Sequence, residues 1–159
     1  MNLETLILED GAAPVPLVDF EGGFSRWAYL QGAILIEIDG RTVLDSMESD
    51  TIDALWSLVI GDIAELLRSG RSLVRFPDRP YAVGLSLLQD GRIFIDVNGN
   101  SRTAALEVQA GAFLRLILKG ACEFFGVASA KALTDESGYQ RDLRSSLALL
   151  GEVEARWGA

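Results

Sequence analysis

The chain has 159 residues, 49% of them hydrophobic, with 23 acidic side chains against 14 basic ones, no histidine and one cysteine. That length suits one domain with a substantial core, and no uninterrupted apolar run reaches the roughly 18 residues of a membrane span. A net charge of −9 repels phosphate backbones and argues against a nucleic-acid partner, while the lone Cys122 excludes an internal disulfide and fits a cytoplasmic protein.

Residues 1–24 carry little pattern. Leu3, Leu6, Ile7 and Leu8 suit a short strand or turn, Pro14 and Pro16 then interrupt regular structure because each fixes φ and lacks an N–H, and Gly22-Gly23 forms a hinge. These residues are expected to form an N-terminal arm or irregular segment, with 25–159 as a single α+β domain. From Trp27 the pattern becomes β. WAYLQGAILIEIDG ends in Asp39-Gly40 and RTVLD follows, the signature of a hairpin with a tight turn. Ile34, Ile36 and Ile38 point one way while Leu35, Glu37 and Asp39 point the other, as in an antiparallel sheet covered on one side.

Thr51–Leu67 follows as the central helix. Ile52, Leu55, Trp56, Val59, Ile60, Ile63, Leu66 and Leu67 recur at three- and four-residue steps and form one apolar face. Ser49 or Asp50 is placed to cap its first N–H groups, Asp53 lies near its positive end, and Gly70 supplies the left-handed stop. SLVRF is then a short strand closed by PDRP. YAVGLSLLQ, RIFIDV and SRTAALEV continue as a meander whose tight turns are Asp90-Gly91 and Asn98-Gly99. Gln109–Phe125 is a second, strongly apolar helix ended by Gly126, with only Arg115, Lys119 and Glu123 as a polar ridge. A third helix runs from Thr134 to Trp157, capped by Thr134, with Asp135 and Glu136 at its positive end. Its thinner stripe is Tyr139, Leu143, Leu147, Leu150, Val153 and Trp157. The fold class that results is α+β, a single antiparallel β-sheet (hairpin plus four-strand meander) packed against two to three helices.

The absence of histidine removes Ser-His-Asp and Cys-His catalysis and the usual general base near neutral pH. One cysteine within one chain leaves no thiolate zinc site, and Cys122, beside Ala121 on the apolar helix, reads as a core residue. Asp96, Asn98, Asn100 and Glu107 match ligand positions of a calcium loop, but Gly99 is misplaced, Ser101 occupies the position that requires glycine, and a strand rather than a helix precedes Asp96. A hairpin turn accounts for this stretch, and neither a metal nor a cofactor is expected.

The charge is unevenly distributed. Residues 1–70 hold 13 acids against 3 arginines, and 71–159 hold 10 acids against 11 bases. Carboxylates without histidine can bind Mg²⁺ or perform glycosidase-type acid–base chemistry, but turn and capping roles account for Asp39, Asp50 and Asp53. The better reading is an acidic face for a basic protein partner, formed by Asp45, Glu48, Asp50, Asp53 and Asp62. Phe20, Phe24, Arg26, Trp27 and Tyr29, together with Arg71, Arg75, Arg79 and Tyr81, supply aromatic and basic material, with surface pairing to Asp78 and Asp90 expected for the arginines. Phe113, Ile117 and Phe124 on the apolar helix are the candidates for self-association as a homodimer.

The run GAILIEIDGRTVLD…LWSLVIGDIAELL…FPDRP, within Gly32–Leu106, is similar to small bacterial proteins, some of which look like immunity proteins encoded beside secreted toxins. The resemblance rests on the hairpin, the Trp56-bearing helix and the FPDRP turn. With the acidic N-terminal half, it implies a non-enzymatic interaction domain that binds and occludes a basic toxin. Two other readings stand beside it: a homo-oligomeric structural or assembly subunit, and a small-molecule-binding domain or carboxylate-based enzyme with its pocket between sheet and helices.

Overall fold

The computed structural model describes residues 1–100, 103–135 and 137–158. Ser101 of the calcium-loop comparison, Arg102 of the last strand and Glu136 at the third helix start lie outside them. The architecture is α+β, but the expected single sheet is two antiparallel sheets. The first contains β1 (Asn2–Leu8), β2 (Val15–Pro16), β3 (Gln31–Ile38), β4 (Arg41–Leu44) and β5 (Ser49–Thr51), and the second is the meander β6 (Arg71–Arg75), β7 (Ala82–Leu87), β8 (Arg92–Asn98) and β9 (Thr103–Gln109). Strand order is β2-β1-β3-β4 in the first sheet, with β5 also on β3, and β6-β7-β8-β9 in the second. The reason for two sheets lies in β3. One edge takes β1, and the other is shared by β4 at Ile36–Ile38 and β5 at Gln31–Ala33, so β3 itself has no edge left for β6.

The segment read as an arm is built into the fold. β1 lies between β2 and β3 and pairs with β3 along its whole length, after which a 3-10 turn at Leu17–Asp19 brings Leu17 and Phe20 into the core. Phe24 is 1% exposed and meets Phe20, Phe124 and Tyr139 edge to face.

Three helices complete the domain. α1 (Ile52–Ser69) buries Leu55, Trp56, Ile60, Ile63 and Leu66 and stops at Gly70, whose φ of 83° is the left-handed conformation that glycine adopts without Cβ strain. α2 (Ala110–Ala130) runs through Gly126 rather than ending there. A mid-helix glycine costs about 1 kcal/mol relative to alanine. Burial of Ala128 and the bridge between Phe24 and Ala132 beyond the helix end favour its continuation. α3 (Ser137–Trp157) starts later than Thr134, with the Asp135 carboxylate accepting from both the Ser137 N–H and hydroxyl. Its inward face also differs from the apolar stripe: Leu147 is 52% exposed, whereas Asp142 and Ser146 are buried.

The inward faces of both sheets meet α1 and α2 around a small apolar void of about 40 Å³ lined by Ile34, Ile36, Leu55, Trp56, Val83, Leu85, Phe113 and Ile117 among others. No helix is long and apolar enough to cross a membrane among the described residues.

Candidate functional site

The acids expected to form one partner-binding face are divided by the fold between its interior and its surface. Glu48, Asp50 and Asp53 are at most 4% exposed. One Asp50 oxygen accepts from the Thr51 N–H at 2.7 Å, and the other accepts from Asp78 N–H at 2.9 Å and Arg79 N–H at 3.1 Å. Asp50 therefore holds the PDRP turn rather than capping α1, whose N-terminal boundary residue Thr51 makes no side-chain cap bond. The Thr51 hydroxyl donates to the Asp78 carboxylate, and Gln31 donates to Thr51. Glu48 performs the matching task at the other turn, accepting from Asp45 N–H at 3.0 Å and Asn100 N–H at 3.0 Å. Its carboxylate lies so close that a Cβ on Gly99 would stand 2.5 Å from Oε1. This close approach, not a positive φ, is what requires glycine there. β8 continues through Asn98 and pairs it with Thr103, so Asn98-Gly99 is not the expected two-residue turn.

Asp53 belongs to a polar seam between α1 and α3. It accepts from the Tyr139 hydroxyl at 2.8 Å. Burial first, and then the bond to Asp53, raise the Tyr139 pKa well above that of an ordinary phenol. Asp142 accepts from Ser57 at 2.6 Å, Arg26 at 2.8 Å and Arg141 at 3.0 Å, and the Arg26 guanidinium lies 4.9 Å from the centre of the Tyr139 ring. Burial pushes the Asp142 carboxyl up, but those donors outweigh it and hold the pKa below its ordinary value. Each of these groups is satisfied within the domain. Cys122 is half-buried, and burial pushes its thiol up, away from the nucleophilic thiolate.

The self-association candidates are also interior. Phe113, Ile117 and Phe124 are at most 5% exposed and pack within the chain, so they offer no surface to a second copy. The calcium-loop residues diverge: Asp96 stands opposite Ala105, while Glu107 stands opposite Phe94 and pairs with Arg92. Among the described residues, no group of three or more acids or cysteines is placed to hold a metal ion. Asp90 pairs with Arg92 as an exposed ion pair, whereas Asp78 is engaged with Asp50 and Thr51 rather than with the nearby arginines. Of the early aromatics, Trp27 and Tyr29 stay on the surface, 80% and 64% exposed.

Asp45 and Asp62 remain partly accessible. Asp62 stands on α1, where burial and then Glu65 raise its pKa. Asp45 lies on the wall of an open groove of about 620 Å³ that also includes Glu4, Glu37 and Glu123. Asn2 pairs with Glu37 and Glu37 with Thr42, so these side chains stand side by side on one face of the first sheet. Leu35 lies opposite Glu4 on that same face, and Pro16, Leu17 and Val18 form another part of the wall. Four carboxylates line the groove, and among the described residues no lysine or arginine does. The outward position of Glu37 is legible in the β3 alternation. The approach of Glu4 and Glu123 to it depends on contacts between residues 33 and 86 positions apart and leaves no local pattern.

Comparison with protein-family models, with curated proteins and with solved structures finds no match to this chain.

Proposed function

We propose that this protein is a non-enzymatic interaction domain that binds a basic protein segment in the groove lined by Glu4, Glu37, Asp45 and Glu123, in the manner of an immunity protein occluding a basic toxin in the cytoplasm. The observation that carries the reading is the groove itself, an open concavity whose charged lining among the described residues is Glu4, Glu37, Asp45 and Glu123, on a chain of net charge −9. Such a field attracts a basic partner over a Debye length and rejects an acidic one. The partner-binding set thus becomes Glu4, Glu37, Asp45 and Glu123, with Glu48, Asp50 and Asp53 supporting the fold.

The test is affinity capture from lysate of the source organism, with the wild-type chain and with a Glu4→Lys/Glu37→Lys/Glu123→Lys variant. All three residues are exposed, so the variant should fold. The expected result is a stoichiometric basic protein on the wild type, lost at high salt and absent from the variant. Equal capture by both chains overturns the reading, as does loss of the partner on Trp27→Ala while the triple variant still binds.

One observation favours a second reading, self-association through the outward face of the second sheet. Leu73, Gly84 and Ala105 form a row across that face with Asp96, and Leu73 is 42% exposed. Arg71 and Arg75 lie at its β6 edge and Glu107 at its β9 edge. Sedimentation decides this: a dimer dissociated by Leu73→Glu supports it, and a wild-type monomer at micromolar concentration rejects it.

A further inference from the structure

We infer that the void between the two sheets is a preformed site for a compact, uncharged hydrocarbon. The inference is independent of the groove reading and concerns the interior of the domain.

The void follows from how its walls are built. Among the described residues the two sheets share no strand pairing, and Glu48 and Asp50 tie them together at the turns of one end. Ile34 and Ile36 of β3 lie across the gap from Val74 of β6 and Val83 of β7, while α1 and α2 close its sides. Val74 and Val83 are a cross-strand pair. Each ends one methylene short of isoleucine, so this stretch of wall leaves the gap unfilled. Close packing normally leaves few spaces larger than a water molecule, and about 40 Å³ remains here.

The lining selects what can occupy that space. One water needs roughly 10–15 Å³, but also about two to four polar partners. The described lining residues offer none. Their side chains are apolar except for the Trp56 indole, whose N–H already donates to the Thr5 hydroxyl at 3.3 Å. A charged or hydroxylated guest would give up its water and find no replacement. An apolar guest instead restores the dispersion contacts that the walls lack across the gap. The walls are in place beforehand, so binding pays little ordering entropy. Among the described lining residues only Val59 on α1 is half-buried, the rest being buried, which puts the approach from solvent on the α1 side.

The probes are xenon and ethane, dissolved under pressure and followed by methyl NMR of the full chain. Saturable shifts are expected at Ile34, Leu55, Val83 and Ile117, while Leu118 and Val153, buried elsewhere in the core, stay unmoved. Methanol, close to ethane in size, should give no saturable shift, because its hydroxyl would enter without a partner. Val74→Ile and Val83→Ile each extend a side chain into the void and should weaken xenon binding about tenfold or more. Shifts that grow linearly with xenon, or spread over the whole core, overturn the site. Saturable binding that both isoleucine variants keep does the same. Methanol binding as ethane does overturns the apolar class. The wild-type spectra alone can reject the site, so the test stands even where an isoleucine variant fails to fold.

Discussion

Glu48 and Asp50 lie two positions apart in the β4–β5 segment, yet each receives backbone N–H groups from a different turn of the second sheet. Asp50 takes those of Asp78 and Arg79 before β7, and Glu48 takes that of Asn100 after β8. Ala82 pairs with Asn98 across β7 and β8, so both turns are at the same end of that sheet. Two buried carboxylates thus join sheets that share no strand pairing, and charge-assisted bonds to backbone N–H are among the stronger hydrogen bonds a protein makes.

Asp50→Ala removes the acceptor for three backbone N–H groups, those of Thr51, Asp78 and Arg79. Donors left without a partner in a buried site cost about 1–3 kcal/mol each when water does not replace the acceptor, and the two turn donors can regain part of that loss from solvent. A destabilisation of about 2–4 kcal/mol in urea denaturation is expected, with amide exchange accelerating first at Asp78 and Arg79. A loss below about 0.5 kcal/mol would show that Asp50 does not join the sheets.

Gly99 and Glu48 should behave as a coupled pair. A methyl group at Gly99 meets the Glu48 carboxylate, which is 1% exposed and cannot swing into solvent. Gly99→Ala alone should cost about 1–3 kcal/mol, as other overpacking changes do. In a Glu48→Ala background, itself destabilised, the same substitution should cost less than about 0.5 kcal/mol. A double-mutant cycle measures this directly. Additivity would mean that the glycine is required by its backbone rather than by its neighbour.

Much of this fold was legible in the sequence where periodicity was strong. The alternation of Ile34, Ile36 and Ile38, the stripe of α1 and the meander face of Val83, Leu85, Ile93 and Ile95 all point inward, because one-sided burial leaves a period-two or period-3.6 pattern. The glycine stop at Gly70 is equally local. What the sequence hid was partnership at a distance. β1 is a weakly patterned strand, yet it is a full member of the first sheet. Asp142 and Ser146 are buried because Arg26 and Ser57 lie opposite Asp142, and the Ser146 hydroxyl bonds to the Asp142 carbonyl. The acidic face failed as a set because a carboxylate that receives backbone N–H groups belongs inside, and nothing in the local spacing of Glu48, Asp50 and Asp53 announces those donors.

The Asp142 cluster makes stability depend on acid. Its donors hold the folded-state pKa below the unfolded value, so the native state favours the ionised form. That contribution is fully present above the unfolded value, about 3.9, and is lost as pH falls through the lower folded value. Asp142→Asn keeps the volume but cannot accept as a carboxylate from Ser57, Arg26 and Arg141. It should destabilise the protein by about 1.5–3 kcal/mol at pH 7. The difference between wild type and variant, measured as urea midpoints, should shrink steadily below about pH 4. A difference independent of pH would assign the loss to packing instead.

Asp62 carries the opposite sign. Burial and the neighbouring Glu65 raise its pKa in the folded chain, so the native state binds its proton more tightly than the unfolded chain does. Above the folded value the native state holds a charge that its surroundings disfavour, and this cost is absent at pH values below both. Asp62→Asn should therefore stabilise the protein at pH 7 and have little effect near pH 3. The gain should stay below about 1 kcal/mol, because the carboxylate keeps contact with water and salt screens it. Thermal unfolding at both pH values checks the sign. The same variant also separates α1 from the groove: Asp62 lies outside the groove lining, so Asp62→Asn should capture the basic partner of the groove as well as wild type does. A clear loss of affinity would extend the binding surface onto the exposed side of α1.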